Sequence, residues 1–177
     1  MNWNGRPEGM SELEWLVALE EIRLLKARRD RYADAHDWEA YEALHAPDHV
    51  SHNDGQDPWR SSTEMIENVS RIMSDMITIH HSYDPEIVFD SPSKARGIWA
   101  MTDGSVSRKE HGESWSIGYG YYYETYEKRD GRWMFTSRRW HNYFGTGSDG
   151  VNFPQEAPKG ANVFEDPSFG GTTSSPE

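Results

Sequence analysis

The chain contains no cysteine, which excludes disulfides, iron–sulfur clusters and thiolate catalysis. It also has no apolar run approaching the ~20 residues that cross a bilayer. Its first residues, MNWNGRPEGMSELEW, lack the basic head and apolar core of a secretory leader, so a cytoplasmic protein without a membrane partner is expected. Basic residues are scarce: 18 Lys and Arg stand against 30 Asp and Glu, for a formal charge of −12. Such a surface does not neutralise phosphates, which argues against nucleic acid and anionic membranes as partners.

Aromatic residues, in contrast, are plentiful. Eight Trp, nine Tyr and six Phe accompany a mean hydropathy of −0.91, so the core must be built from few large side chains. The same residues can fill a core or wall a pocket for a flat, apolar small molecule. The length of 177 residues suits one domain with a real interior.

Three segments are expected: an arm over residues 1–10, a folded domain over 11–144 and an irregular tail over 145–177. Ser11 with Glu14 reads as a capping box, opening a helix whose apolar positions include Leu13, Leu16, Val17, Ile22 and Leu25. The charged run KARRDRYADAHD contains no breaker, so the helix is expected to reach about Asp34. A break then falls near Ala35–Asp37, and a second helical piece is expected to stop at Pro47. A short strand is expected at His49–Asn53, followed by a helix over Glu64–Met76 capped by Ser62 or Thr63. The alternation that follows predicts strands at Ile77–Tyr83, Glu86–Asp90, Ala95–Asp103, Ser114–Lys128 and Trp133–Phe144. Gly104–Gly112 reads as a loop, Arg129-Asp130-Gly131-Arg132 as a tight hairpin, and Gly118 and Gly120 as marks of a bulge. This order gives an α+β fold: a curved antiparallel sheet wraps over N-terminal helices to form a cone-shaped barrel with a central pit.

The adjacent His80 and His81 lie on a strand, so one faces the pit and the other faces away. A neutral imidazole acts as a base when one nitrogen is free and the other donates to a carboxylate. Asp30, Asp34 and Asp37 are the candidate carboxylates. A strand histidine of this kind is also commonly structural, and a helix aspartate is commonly only solvated. A metal site from His80 and His81 is disfavoured because neighbouring strand residues point apart.

The residues IRLLKARRDRYADAHDW, IHHSYDPEI, ARGIWAMTD and YYETYEKRDGRWMF together resemble the SnoaL-like group of the nuclear transport factor 2-like superfamily, over about residues 13–144. The group includes bile acid and scytalone dehydratases, lindane dehydrochlorinase and formaldehyde lyases acting on lignin-derived dimers. The resemblance implies a cofactor-free, metal-free elimination with His80 and Asp34 as the catalytic pair, and Asp103 as a pit residue. Arg29 stands where the bile acid dehydratase pattern has a tyrosine, and Asn142 where it has an arginine. Arg29 and Tyr83 are expected to assist catalysis, whereas His52, Trp99, Asp103, Tyr121, Arg139 and Asn142 are expected to contact substrate. Trp115, Tyr119, Tyr123 and Trp140 are further expected pit aromatics. The implied reaction is loss of water or formaldehyde from an aromatic small molecule such as a lignin-derived diaryl compound. A hydroxysteroid-type dehydratase and a non-catalytic binding module are the alternatives. Relatives of this kind are dimers or trimers, so a homo-oligomer is expected.

Overall fold

A computed structural model describes residues 5–53, 57–109 and 112–152 of the chain. Helix α1 spans Glu12–Asp34, α2 Trp38–Glu42 and α3 Ser62–Ile72. The strands are β1 (His45–Asn53), β2 (Met76–Ser91), β3 (Lys94–Lys109), β4 (Gly112–Arg129), β5 (Arg132–Gly147) and β6 (Gly150–Asn152). No helix among the described residues is long and apolar enough to cross a membrane.

Ser11 and Glu14 form the expected capping box at the start of α1. The buried face of this helix is only partly the expected one. Leu13, Leu16, Val17 and Leu24 are exposed, whereas Ala18, Ile22, Leu25, Lys26, Arg29, Asp30 and Ala33 are buried. The charged run therefore turns inward. The helix ends through two backbone bonds, from His36 N to Ala33 O (3.1 Å) and from Asp37 N to Tyr32 O (2.9 Å). His36 holds the left-handed conformation that this ending needs, at φ 54°. Asp37 then caps α2, accepting from Ala40 N at 3.2 Å.

The sheet has the order β1-β5-β4-β3-β2, with β6 added on β5. The four long strands form the expected antiparallel meander, but β1 pairs with β5 in parallel, so the sheet is mixed. Several boundaries differ from expectation. The second helical piece stops at Glu42, and Pro47 lies inside β1, an edge strand that tolerates a missing donor. Ser61, not Ser62 or Thr63, caps α3, which is shorter than expected because Met76 already belongs to β2. The two strands expected on either side of Asp84-Pro85 are one strand with a register shift, and Asp84 has φ 47°. Gly104–Lys109 extend β3 and pair with β4 rather than forming a loop, and residues 110–111 of the expected loop lie outside the described part. Gly145–Gly147 belong to β5 and Gly150–Asn152 to β6, so the irregular tail starts later than expected, and residues 153–177 lie outside the described part. The arm is docked from residue 5 on, with Gly5 O accepting from Phe89 N at 3.2 Å and Met10 buried.

The register of β4 against β5 shifts at Gly120, where any Cβ would collide with the carbonyl of His141. Glycine is needed there because two backbones approach each other.

The interior between α1 and the sheet is unusually polar. Lys26 meets Glu124 at 2.6 Å and Asp30 at 3.8 Å, and Arg29 meets Asp30 at 3.5 Å. Tyr126 donates to Glu124 (2.6 Å) and accepts from Trp99 (2.8 Å). Burial pulls the Lys26 ammonium below its ordinary range, against the opposing pull of Asp30 and Glu124. Beside this set, His45 and His49 are buried with ring centroids 4.7 Å apart. Burial, the neighbouring imidazole and Arg29 hold His45 well below its usual value. Burial and then Arg29 bring His49 down to about 3.

Two outcomes follow for stability. Glu124→Gln leaves Lys26 without its nearest anion, and guanidinium unfolding should show a loss of about 3–5 kcal/mol. Both histidines are neutral in the fold and protonate more readily in the unfolded chain, so stability is full above their ordinary pKa and falls as pH drops. For His49 the window runs from 6.5 down to about 3, with a slope of up to about 1.4 kcal/mol per pH unit. Urea unfolding of His49→Gln between pH 6 and 4 should show a shallower slope than the parent chain.

Candidate active site

Asp34 is the last residue of α1, and among the described residues β2 is an edge strand, so one side of its backbone has no strand partner there. The chain uses both facts at one point. The His80 ring Nδ1 lies 2.6 Å from Asp34 Oδ1, the His80 backbone N donates to Oδ2 at 3.0 Å, and Thr78 Oγ1 donates to Oδ1 at 3.0 Å. A helix C-terminus disfavours a carboxylate, and burial pushes the Asp34 carboxyl up. The bonds from the His80 ring and backbone, the His80 charge and the Thr78 hydroxyl outweigh that push and leave it below its ordinary range. A carboxylate there accepts the Nδ1 proton, which leaves His80 Nε2 as the basic nitrogen.

His80 and Thr78 line a cavity of about 560 Å³. One wall is apolar, formed by Val69, Ile72 and Met73 from α3 and its end, with Met76. Trp59 and Trp140 add flat surfaces. Trp59 is fixed by paired backbone bonds with Ser51 (2.9 and 3.0 Å), and Trp140 Nε1 donates to Met101 Sδ at 3.2 Å. The polar side carries His80, Asp103, Arg138 and Asn142. Asp103 is the register partner of His80 on β3 and accepts from the Tyr122 hydroxyl. Gly118 lies opposite Asp103, and a Cβ there would press on the Asn142 amide at 3.2 Å.

The other expected site residues lie elsewhere. Arg29 is fully buried behind the cavity, bonded to the Tyr41 hydroxyl and paired with Asp30. Trp99 lies in the core, with its indole nitrogen on Tyr126. Tyr83, Tyr121, Arg139 and His52 do not line the cavity. Strand alternation explains this. Tyr83 is out of step with Thr78 and His80 and bonds Thr102 Oγ1 at 2.6 Å. Arg139 is out of step with Arg138 and Trp140, and His52 is its register partner. Tyr121 pairs in register with His141 and packs edge-on to Tyr143. Tyr119 stacks on Phe144 at 5.3 Å, and Tyr123 packs with Val88 and Ile98, so neither enters the cavity, whereas Trp115 and Trp140 line it. Asp30 and Asp37, the rival carboxylates, serve the buried charge set and the α2 cap. Among the described residues, no group of three His, Asp or Glu side chains could hold a metal ion.

The reading from sequence missed Thr78 and Trp59 as site residues and did not choose Arg138 over its neighbour. Thr78 was findable, because it sits two residues before His80 and shares its face. The parity of β5 depends on bulges against β4 near Gly120, which the glycines mark, and near Thr125, which no local pattern discloses.

The SnoaL-like domain model matches residues 15–139. A protein of Gibberella zeae named "Probable cyclase FGR4" is 26% identical over 129 residues, covering 67% of this chain and 86% of that one. Among solved structures, the "Putative Scytalone Dehydratase" of Novosphingobium aromaticivorans superimposes with a TM-score of 0.72 at 21% identity, over 83% of this chain and 99% of that one. The hexachlorocyclohexane dehydrochlorinase LinA-type3 of Novosphingobium barchaimii gives 0.70 at 19% identity, over 82% and 100%. At these identities the two structures speak for the fold alone. The domain match covers most of the sequence, including the helix end that carries Asp34 and the strand that carries His80, and so the chain belongs to the SnoaL-like domain family.

Proposed function

We propose that the chain is a cofactor-independent lyase that eliminates water or formaldehyde from an aromatic small molecule, with His80 as base and Asp34 as the residue that orients it. A lignin-derived diaryl compound is the substrate class that best suits the aromatic and thioether wall. The observation that carries this reading is the 2.6 Å contact between His80 Nδ1 and Asp34 at the wall of a sizeable cavity. Names of similar proteins, a cyclase, a scytalone dehydratase and a dehydrochlorinase, support the same type of chemistry.

In this reading His80 Nε2 removes a proton from a carbon next to the one bearing the hydroxyl when water is lost. When formaldehyde is lost it removes the O–H proton of a CH2OH group, whose O–H pair becomes the C=O bond while the broken C–C pair forms the new C=C bond and the hydroxyl on the adjacent carbon departs. Asp34 keeps the Nδ1 proton in place and stabilises the imidazolium that forms, and such a positioned base contributes ~10²–10⁴-fold. Asn142 and Arg138 are among the donors that line the cavity.

Turnover is followed by the absorbance of the new conjugated double bond, using hydroxylated diaryl compounds as the test panel. His80→Ala should abolish it with the melting temperature preserved, and Asp34→Asn should lower kcat by ~10²–10⁴-fold. A fully active His80→Ala variant, or tight binding of the panel with no turnover in the parent chain, contradicts the reading. Asp34, held below its ordinary range, stays ionised through neutral pH. Its stabilising contact is present above the ordinary carboxylate range and is lost only as pH falls through the lowered value.

A further inference from the structure

The cavity wall that carries Trp140 has a second side. Arg139 stands between Arg138 and Trp140, His52 precedes Asn53, and Arg60 follows Trp59; those neighbours line the cavity, and these three residues do not. His52 and Arg139 are register partners across β1 and β5, and Trp59 is bridged to Ser51 of the same edge strand. Alternation therefore gathers His52, Arg60 and Arg139 on the outer face of the sheet.

The chain has 30 acidic residues for 18 basic ones, yet neither Arg60 nor Arg139 has an ion-pair partner among the described residues. Glu64 accepts from the Arg60 backbone N at 2.6 Å without pairing with its guanidinium. Partial burial, then the charges of Arg139 and Arg60, pull the His52 imidazole below its ordinary value, and no carboxylate among the described residues offsets them. Arg139 Nε is buried, whereas its terminal nitrogens and the His52 ring nitrogens are accessible and make no hydrogen bond among the described residues. Cationic groups gathered on a partly buried surface repel one another, and an anion between them reverses the sign of that interaction. A guanidinium fork matches the oxygens of a carboxylate or a phosphate. Two guanidinium charges exceed what one carboxylate neutralises. A phosphate group, with about 1.5–2 negative charges and three strong acceptor oxygens near neutral pH, can offer one oxygen to each of the three side chains.

We propose that His52, Arg60 and Arg139 form a phosphate-binding site on the outer face of the sheet, back to back with the cavity. Its ligand is the free phosphate ion or the phosphate group of a monoester. The two arginines supply charge and paired donors, and the imidazole supplies a third N–H. An oxyanion held there lies across the sheet from His80, so the site is separate from the candidate active site and does not depend on the lyase reading.

The test is calorimetric titration of the full chain with inorganic phosphate, phenyl phosphate and benzoate, with sodium chloride holding the ionic strength constant. At least one of the two phosphates should bind saturably, about tenfold or more tightly than benzoate. Tighter binding of phenyl phosphate assigns the site to a monoester, and equal or tighter binding of inorganic phosphate assigns it to the free ion; either supports the proposal. Arg139→Met and Arg60→Met should each weaken phosphate by about tenfold or more, the worth of a charge-assisted hydrogen bond. Arg138→Met, which removes the same charge from the cavity side, should change it by about twofold or less, and so should His80→Ala. In histidine-labelled parent chain, the ring resonances of His52 should move on addition of phosphate and those of His80 should not. No saturable binding of either phosphate overturns the proposal, and so does benzoate binding as tightly as phosphate. A response at His80 rather than His52, or full affinity retained in a folded Arg139→Met or Arg60→Met variant, also overturns it. The probe comparison and the His52 signal use the parent chain, and stand even where a variant fails to fold.

Discussion

The contact on which the site depends joins the end of a helix to the edge of a sheet. Asp34 is placed where α1 must stop, by a left-handed His36 and two backbone bonds. His80 is placed by β2, whose outer backbone edge has no strand to pair with among the described residues. The carboxylate satisfies that edge through the His80 amide and at the same time takes the ring nitrogen. One side chain thus closes the helix–sheet junction and orients the imidazole, so the local geometry of the site does not depend on loops. The unfavourable end of the helix dipole and partial burial both oppose a charge on Asp34, and three hydrogen bonds reverse that balance.

Behind this junction the protein retains charge where a larger apolar core would be expected. Lys26, Arg29, Asp30 and Glu124 are buried together, and their mutual pairing offsets a desolvation cost that any one of them alone would leave uncompensated. The arrangement also explains the exposed leucines of α1: the helix is rotated so that its polar residues reach the tyrosine-rich sheet. Tyr122 links this interior to the cavity, with Lys26 at 3.8 Å and Arg138 at 4.4 Å from its ring centroid and its hydroxyl on Asp103. The cavity therefore has a polar floor supported from behind by a charge-balanced layer.

Much of this was legible in the sequence. The capping box, the break after Asp34, the Asp-Gly hairpin and the period-two meander are local signals, and each corresponds to an element of the fold. Residues whose placement follows from a single strand's alternation, such as His80 and Asp103, fall on the cavity side. Residues whose placement depends on bulges do not follow from alternation alone. Tyr121, Arg139 and His52 share the opposite face because register, not composition, fixes which side a strand residue takes. Arg29 reads as a site residue only through its neighbours in the chain. In the fold it is consumed by Tyr41 and Asp30, a tertiary pairing with no local sign.

The most direct measurement of the central claim is the tautomer of His80, read by long-range nitrogen–proton correlation spectroscopy on histidine-labelled protein at neutral pH. The account requires the proton on Nδ1, donated to Asp34, with Nε2 bare toward the cavity, and requires that signature to change in Asp34→Asn. A proton on Nε2 in the parent chain, or a pattern unaffected by loss of the carboxylate, would mean that Asp34 does not orient the ring and that His80 is not the base.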